Sequence, residues 1–281
     1  MKEITIVGVP EHFNLPWHLC IENGEFSDVG IDLKWQDVPE GTGKMCQLLR
    51  EKKTDLAVIL TEGIVRDIAA GNESTIIQQY VGSPLLWGIH VAEPSTFKSV
   101  DDLKGKRVAI SRFGSGSHLM AIVHAKQMNW PIDELEFVVV NTLDGAVNAL
   151  QNNEADYFMW ERFMTQPIVD QNIFRRIGEC PTPWPSFVIV ATNEFIKENK
   201  ATIDYLLEVI NATTSEFKLI PSIDRTLASK YELRIEQIQE WLKLTQWSQK
   251  TLKLKDFNKV QDQLVELGLI ESKLTYETII L

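Results

Sequence analysis

Short apolar runs of strand length alternate with helical patterns through the first two thirds of the chain. Five of these runs are rich in β-branched and other apolar residues, and they lie at Ile4–Val9, Ile31–Gln36, Asp55–Leu60, Thr75–Val81 and Arg107–Ile110. Strands that alternate with helices at this spacing are typical of βα units and a largely parallel sheet. This rhythm therefore predicts an α/β fold.

The segment from Ser99 to Met120 shows the pattern most clearly. A short polar helix at Val100–Leu103 is followed by the buried strand Arg107–Ile110, and then by a Gly/Ser loop that begins a helix. In an open α/β sheet, small ligands bind where a loop leaves the carboxyl end of a strand, because the first helical N–H groups have no partner within the helix. We therefore expect ligand contacts in the loop Ser111–Ser117.

The pattern recurs in the second half of the chain. Asp55 and Asp156 each open a hydrophobic strand, and a leucine, Leu49 or Leu150, lies six residues before each aspartate. The two halves therefore resemble copies of one lobe, which favours a protein of two lobes with a cleft between them.

Two apolar segments predict the passages between the lobes. Ser83–Val91 is flanked by turn residues and has the character of a crossover strand, and Ser186–Ala191 is the predicted return. We expect residues 1–85 and 190–281 to form the first lobe and residues 86–189 the second. Each lobe is predicted to be a mostly parallel sheet flanked by helices.

The C-terminal segment is predicted to be helical. Its apolar residues recur at helical spacing, namely Ile203, Leu206, Leu207 and Ile210, and then Phe257, Val260, Leu264 and Leu267. We expect these helices to pack on the first lobe and across the hinge.

Composition excludes several classes of protein. A net charge of −11 argues against a nucleic-acid partner, which would need a basic face. No stretch approaches the ~20 apolar residues of a membrane span, and the N-terminus is too strand-like for a signal peptide. Cys20, Cys46 and Cys180 are far apart and odd in number, so they suggest neither a disulfide framework nor a metal site. We expect a cytoplasmic protein as the sequence stands, or a periplasmic or lipid-anchored one if a leader has been removed.

Two motifs carry a family resemblance. The run Leu103–Ile110 with its Gly/Ser helix start, and the later run Ala149–Asp156, resemble the type II periplasmic-binding-protein superfamily. Within it, the sequence is similar to the branch that holds nitrate, taurine and aliphatic-sulfonate binding proteins together with fungal thiamine-pyrimidine synthesis proteins. The resemblance covers Ile4 to about Asn193. It implies a small-molecule ligand held between the lobes, a hinge that closes on it, and a membrane subunit of an ABC importer as partner if the protein is exported.

Residue types at the predicted strand ends select the candidate ligand-binding residues. Those of the first lobe and of the crossover are Glu11, His12, Phe13, Trp17, Gly41, Thr42, Gly43, Thr61, Glu62, Ser83 and Pro84. Those of the second lobe and the return are Ser111, Arg112, Gly114, Ser115, Gly116, Ser117, His118, Trp160, Glu161 and Trp184.

Each candidate also has a structural alternative. Ser115 and Ser117 have the position of helix caps, which stabilise a helix by about 1 kcal/mol each. Gly114 and Gly116 suit a tight turn, and a surface ion pair is as good an explanation of Arg112. The tryptophans are equally explained as core residues, and the histidines as hydrogen-bonded structural groups.

The acidic candidates decide which ligand is preferred. Glu11, Glu62 and Glu161 lie at strand ends and disfavour a bare oxyanion, unless Arg112 and the histidines outweigh them. An aromatic wall that buries ~150 Å² contributes up to ~4 kcal/mol, against roughly 0.3–1 kcal/mol from an exposed helix N-terminus. We therefore expect a planar nitrogenous ligand such as a pyrimidine or a thiamine-precursor-like molecule. A sulfonate, taurine or nitrate ligand of an ABC importer is the alternative.

An enzyme of cofactor-precursor metabolism is the rival from another class, with His12, Glu62 or Glu161 as acid or base. If the resemblance to the fungal pyrimidine-forming proteins extended to their chemistry, it would imply a cysteine-rich iron motif, a cofactor-binding lysine and an active-site histidine in this chain. This sequence has no cysteine cluster, and no GxSxG, HExxH or P-loop motif. We therefore favour a binding protein, with no metal, no cofactor and no catalytic residue.

Overall fold

The chain folds into two units, each with its own five-stranded sheet. The computed structural model describes residues 1–281, with Met1–Pro84 and Pro183–Leu281 in unit 1 and Leu85–Thr182 in unit 2. The sequence places the second boundary near residue 190, within the return strand. In the structure that strand lies wholly in unit 1, because both of its neighbours belong to unit 1.

Strands and helices alternate as the sequence predicts. The strands are β1 Lys2–Gly8, β2 Ile31–Asp37, β3 Leu56–Leu60, β4 Ser74–Val81, β5 Leu86–Ala92, β6 Arg107–Ile110, β7 Glu136–Val139, β8 Tyr157–Glu161, β9 Phe174–Pro181 and β10 Phe187–Thr192. The α-helices are α1 Leu15–Glu22, α2 Glu25–Asp28, α3 Thr42–Arg50, α4 Thr61–Ala69, α5 Gly116–Gln127, α6 Leu143–Gln151, α7 Gln166–Asp170, α8 Asn193–Glu216, α9 Ile223–Lys230, α10 Ile235–Leu244, α11 Leu254–Glu266 and α12 Tyr276–Ile279. Short 3-10 helices cover His12–Asn14, Val100–Leu103, Ile132–Glu134 and Phe217–Leu219.

The two sheets have the same topology. Sheet 1 has the order β2-β1-β3-β10-β4, and sheet 2 has the order β7-β6-β8-β5-β9. In each sheet, one strand runs antiparallel to both of its neighbours, β10 in sheet 1 and β5 in sheet 2. The remaining strands are parallel to one another, which confirms the prediction of two mostly parallel α/β lobes.

The repeated aspartates make the same connection in both units. Asp55 Oδ2 accepts hydrogen bonds from the backbone N–H of Thr5 at 2.7 Å and from its hydroxyl at 2.9 Å. Asp156 Oδ2 accepts from the backbone N–H of Arg107 at 2.8 Å, and its carboxylate also pairs with the guanidinium. Each aspartate therefore ties the start of one strand to the neighbouring parallel strand.

Helices pack on the strands β3 and β10 of sheet 1, and Thr192 is the only polar residue of these two strands. Every side chain of β10 is buried, as are the first four of β3. A strand with both faces covered, as β3 and β10 are, has no side that faces solvent. The C-terminal helices belong to unit 1, where α8 buries Ile203, Leu206 and Ile210, in agreement with the helical spacing of the sequence.

The outer edge of β4 is covered by the C-terminal part of the chain. Backbone bridges join Val81 to Trp247 and Ile76 to Ile280, and Leu281 N–H donates to the Ile76 carbonyl at 3.0 Å. An uncovered edge strand would offer unpaired backbone groups to other chains. No helix of the structure combines the length and the apolar composition that a membrane crossing requires.

Candidate functional site

The loop after β1 in unit 1 is held by its own carbonyl groups. The Phe13 carbonyl accepts hydrogen bonds from the Tyr80 hydroxyl at 2.8 Å and from the Trp247 indole at 3.3 Å. The Tyr231 hydroxyl donates to the Glu11 carbonyl at 3.3 Å. The C-terminal helical segment thus fixes a loop that lies more than 200 residues earlier in the chain.

Aromatic rings surround the side chains of this loop. The His12 ring lies 4.3 Å from Trp241, and the Phe13 ring lies 5.1 Å from Phe187. Burial lowers the pKa of His12 to about 3, so its imidazole is neutral at neutral pH. Burial raises the pKa of Glu11 to about 7. His12 therefore does not supply the positive charge that would offset the nearby carboxyl groups.

Glu62 is the second residue of α4, the helix that follows directly on β3. Its side chain is only 3% exposed. The Trp184 indole N–H donates to Oε2 at 2.9 Å, whereas Oε1 has no hydrogen-bond partner. Burial raises the pKa of Glu62 to about 7, against the opposing effect of the helix backbone and of Trp184. A buried carboxyl group with one unsatisfied oxygen is a costly feature that calls for a partner.

Backbone contacts bring several other candidates of unit 1 close to Glu62. The Thr61 hydroxyl donates to the Pro185 carbonyl at 2.7 Å, next to Trp184 in the chain. Ser186 donates to the Ser83 carbonyl through its N–H at 3.2 Å and its hydroxyl at 2.9 Å. Pro84 follows Ser83 in the chain and is exposed.

The start of α3 meets the start of α4. Gly41, with φ +78°, precedes Thr42 and Gly43, which are the first residues of α3. The Thr42 side chain lies so close to Gly63 of α4 that a Cβ on that glycine would overlap it. The predicted second and third loops are therefore neighbours in unit 1.

Trp17 lies in the core of unit 1. The structure places it in α1, fully buried, with its ring stacked against Phe26 at 5.9 Å and tilted against Tyr80 at 6.0 Å. These surroundings agree with the structural alternative for this residue, in place of the predicted position on the first loop.

In unit 2, the hydroxyl groups of the Gly/Ser loop bind the loop itself. Ser115 is the N-cap of α5, and its hydroxyl accepts the His118 N–H at 3.4 Å. The Ser117 hydroxyl accepts the Ser111 N–H at 2.9 Å. Gly114 has φ +75°, a conformation that favours glycine. Each of these residues therefore has a structural role, whatever else it contacts.

Trp87 lies against the first turn of α5. A Cβ on Gly116 would lie 2.8 Å from Cη2 of Trp87, so only glycine allows this approach. The Trp87 ring is 4% exposed, and its Nε1 has no hydrogen-bond partner. In the sequence, Trp87 falls within the predicted crossover strand Ser83–Val91, and nothing in the local pattern connects it with a helix that begins 29 residues later.

The last candidates of unit 2 lie at the end of β8. Trp160 is partly buried, and its ring stacks on Phe158 at 5.4 Å. The Glu161 carboxylate accepts the Met164 N–H at 2.6 Å, while Arg162 pairs with Glu179 at 3.0 Å. Glu161 therefore stabilises the turn that follows its own strand.

An aromatic group lies on the outer part of the Gly/Ser loop. The Phe113 side chain is 64% exposed and lies 5.3 Å from the His118 ring, which is 4.7 Å from Phe137. His118 Nδ1 accepts the Gly114 N–H at 3.0 Å. Arg112 is exposed at the same loop. Phe113 was not among the predicted residues, since a lone aromatic residue in a glycine-rich loop gives no helical or strand pattern.

The fold is the periplasmic-binding-protein fold, as the resemblance noted in the sequence implies. A family model described as Ca3427-like PBP matches residues 87–180, about a third of the chain. No protein of curated function matches the sequence.

Three solved structures illustrate the similarity over the whole chain. The Candida albicans CA3427 gene product, described as having the generic periplasmic-binding-protein fold, is 24% identical, with 100% of this chain and 96% of that chain covered and a TM-score of 0.90. The aliphatic sulphonate binding protein SsuA from Escherichia coli is 20% identical, with coverage of 100% and 92% and a TM-score of 0.76. The alkanesulfonate-binding protein SsuA from Xanthomonas axonopodis pv. citri, bound to MOPS, is 13% identical, with coverage of 100% and 98% and a TM-score of 0.83.

Proposed function

We propose that this protein is a solute-binding protein and that its ligand is a small planar nitrogenous compound such as a pyrimidine. The observation that carries the proposal is the buried Glu62 carboxyl group, whose Oε1 has no partner at the carboxyl end of β3. In this fold, strand-end loops of α/β sheets are the natural place for a small ligand.

The charges of the candidate residues support a nitrogenous ligand over a bare oxyanion. Glu11 and Glu62 are acidic groups at strand ends of unit 1, and the neutral His12 does not offset them. The Phe13 ring packs on Phe187, which follows Trp184 by three residues in the chain, and aromatic rings of this kind suit a flat, partly apolar molecule.

An oxyanion ligand of the sulfonate type is the second candidate, and one observation in unit 2 favours it. The first turn of α5 offers backbone N–H groups, and the unpartnered indole N–H of Trp87 belongs to a ring that packs on that turn. Donors of this kind bind acidic oxygens. Sulfonate-binding proteins are also among the structural relatives, and for such a ligand we propose an ABC importer as the partner.

A ligand screen separates the two candidates. We expect aminopyrimidines to raise the melting temperature of the protein, because a ligand that binds only the folded state stabilises it by mass action. Taurine and alkanesulfonates serve as the comparison set, and native mass spectrometry of the freshly purified protein detects any ligand that is retained. Stabilisation by sulfonates with none by any nitrogen heterocycle would overturn the preferred ligand. Turnover of a bound compound would overturn the non-enzymatic function.

A further inference from the structure

We propose that Oε1 of Glu62 accepts a hydrogen bond from an N–H group of the ligand, and that Trp184 is the positioning residue that orients this carboxyl group. The inference rests on the proposed function of the same site and adds the atom that selects the ligand. Its ligand class is an amino-substituted heterocycle, in which the N–H donor is attached to a flat ring.

The two carboxyl oxygens of Glu62 differ in their hydrogen bonding. Oε2 is satisfied by the Trp184 indole at 2.9 Å, and Oε1 is buried with no partner. Leaving a buried acceptor unsatisfied costs more than a single hydrogen bond gains, so such groups are rare without a purpose. The partner that Oε1 lacks within the protein is a donor, and the ligand is able to supply it.

Glu62 and Trp184 are both held rigidly in unit 1. Glu62 is fixed by its place in the first turn of α4, and Trp184 is 2% exposed. The neighbouring residues on both sides are joined as well, because the Thr61 hydroxyl donates to the Pro185 carbonyl at 2.7 Å. The plane of the carboxyl group is therefore set before the ligand arrives, which lowers the entropic cost of binding.

The chemistry of Oε1 determines which kind of ligand group can bind it. A carboxyl oxygen accepts from an N–H or O–H group and disfavours another acceptor at the same place. Burial raises the pKa of Glu62 to about 7, so the carboxyl group is ionised above that pH, and in the ionised form both of its oxygens are acceptors that suit an N–H donor. An exocyclic amino group on an aromatic ring combines this donor with a flat surface for the nearby aromatic side chains.

A pair of probes of equal shape tests the inference. 4-Amino-2-methylpyrimidine carries the N–H donor, and 2,4-dimethylpyrimidine replaces it with a methyl group. We expect calorimetry to show that the wild-type protein binds the amino probe at least about tenfold more tightly, the effect of one well-placed hydrogen bond to a carboxyl oxygen.

The substitution Glu62→Gln reverses the character of the unpartnered position. In this variant the amide oxygen keeps the hydrogen bond from Trp184, and the amide NH2 takes the place of Oε1. The NH2 group then faces the amino group of the probe, and two donors cannot form a hydrogen bond with each other. We expect the amino probe to lose at least about tenfold in affinity, while the dimethyl probe changes little. Glu194→Gln is the matched control, because Glu194 is likewise the second residue of a helix that follows a strand, and its carboxylate is exposed and paired with Lys52. This control is expected to leave both affinities unchanged.

Trp184→Phe tests the positioning role separately. The variant keeps an aromatic ring and removes the indole donor, so the carboxyl group loses its fixed orientation. We expect the ratio of the two probe affinities to fall toward one, a change that a purely structural weakening of the site would not produce, since it would lower both affinities together.

Three outcomes would overturn the inference. Equal affinity of the wild-type protein for the two probes would show that Oε1 does not select a donor. An unchanged ratio in Glu62→Gln, with the variant folded, would show the same. Binding of neither probe, together with tight binding of a sulfonate, would contradict the nitrogenous ligand of the proposed function. If the amino probe binds but the ratio of the two probe affinities is unchanged in the variants, the proposed function stands and only the role of Glu62 is contradicted.

Discussion

At the scale of single residues, Glu62 has an energetic cost that depends on pH. Its pKa is about 7 in the folded protein, above its ordinary value of 4.5, because burial penalises the ionised form. A carboxyl group with a raised pKa binds more protons in the folded state than in the unfolded state. Its contribution to stability is therefore complete at low pH and is lost as the pH rises through about 7.

Glu62→Gln is expected to remove this pH dependence. Relative to the variant, the wild-type free energy of unfolding should fall by up to about 3 kcal/mol between about pH 4.5 and pH 8, as measured by urea denaturation. Glu11, whose pKa is also raised to about 7, contributes in the same direction to both proteins, so the difference between them isolates Glu62. Parallel pH profiles for the two proteins would contradict this prediction.

For the candidate site, the sequence predicts residue types but not the contacts that these residues make. Glu62 was predicted from its place after a strand, but its partner Trp184 lies 122 residues away and is visible only in the fold. The sequence suits Ser115 both as a ligand residue and as a helix cap, and the structure confirms the cap. A sequence pattern does not show which hydroxyl groups are already engaged by their own loop.

At the scale of elements, the repeated aspartates lend themselves to a paired experiment. Asp55→Asn and Asp156→Asn each weaken the acceptor that holds a strand start, and we expect each to destabilise the protein by about 1–2 kcal/mol. The two should differ in salt dependence, because Asp156 also pairs with the Arg107 guanidinium whereas Asp55 pairs with a threonine.

Urea denaturation at low salt and at about 1 M salt measures the difference. The loss caused by Asp156→Asn is expected to shrink at high salt, and the loss caused by Asp55→Asn is expected to stay the same. The same salt response in both variants would show that the ion pair adds nothing to the shared backbone contact.

The strands that the sequence analysis did not identify are the edges of sheet 2. β7 has no buried side chain, and β9 carries the charged residues Arg175, Arg176 and Glu179. Apolar periodicity detects strands through burial, so the central strands of both sheets were found within a few residues. An edge strand exposes much of its surface and resembles a loop in the sequence.

At the scale of the whole molecule, the C-terminal part of the chain serves unit 1 in two ways. It covers the edge of β4, and its aromatic residues hold the loop after β1 through Tyr231 and Trp247. The sequence predicted that these helices pack on the first lobe, but their contacts with a loop so distant in the chain have no local signal. The predicted ligand cleft between the lobes stays a prediction.

Removal of residues 276–281 is expected to destabilise the protein by about 3 kcal/mol or more, because Ile279 and Ile280 are both buried. The uncovered edge of β4 should also promote self-association, which size-exclusion chromatography detects. Glu277→Ala, an exposed change in the same segment, is the control. A truncated protein that keeps its melting temperature and stays monodisperse would contradict the prediction.

The place of β10 in sheet 1 has a consequence for how the chain is made. Unit 2 is continuous from Leu85 to Thr182, so a nascent chain holds all five of its strands before unit 1 is complete. β10 lies between β3 and β4, and until residue 192 leaves the ribosome those two strands lack the neighbour that joins them. During synthesis, unit 2 is therefore the first unit that can finish folding. Until β10 is made, β3 and β4 of unit 1 each keep one edge without its partner strand.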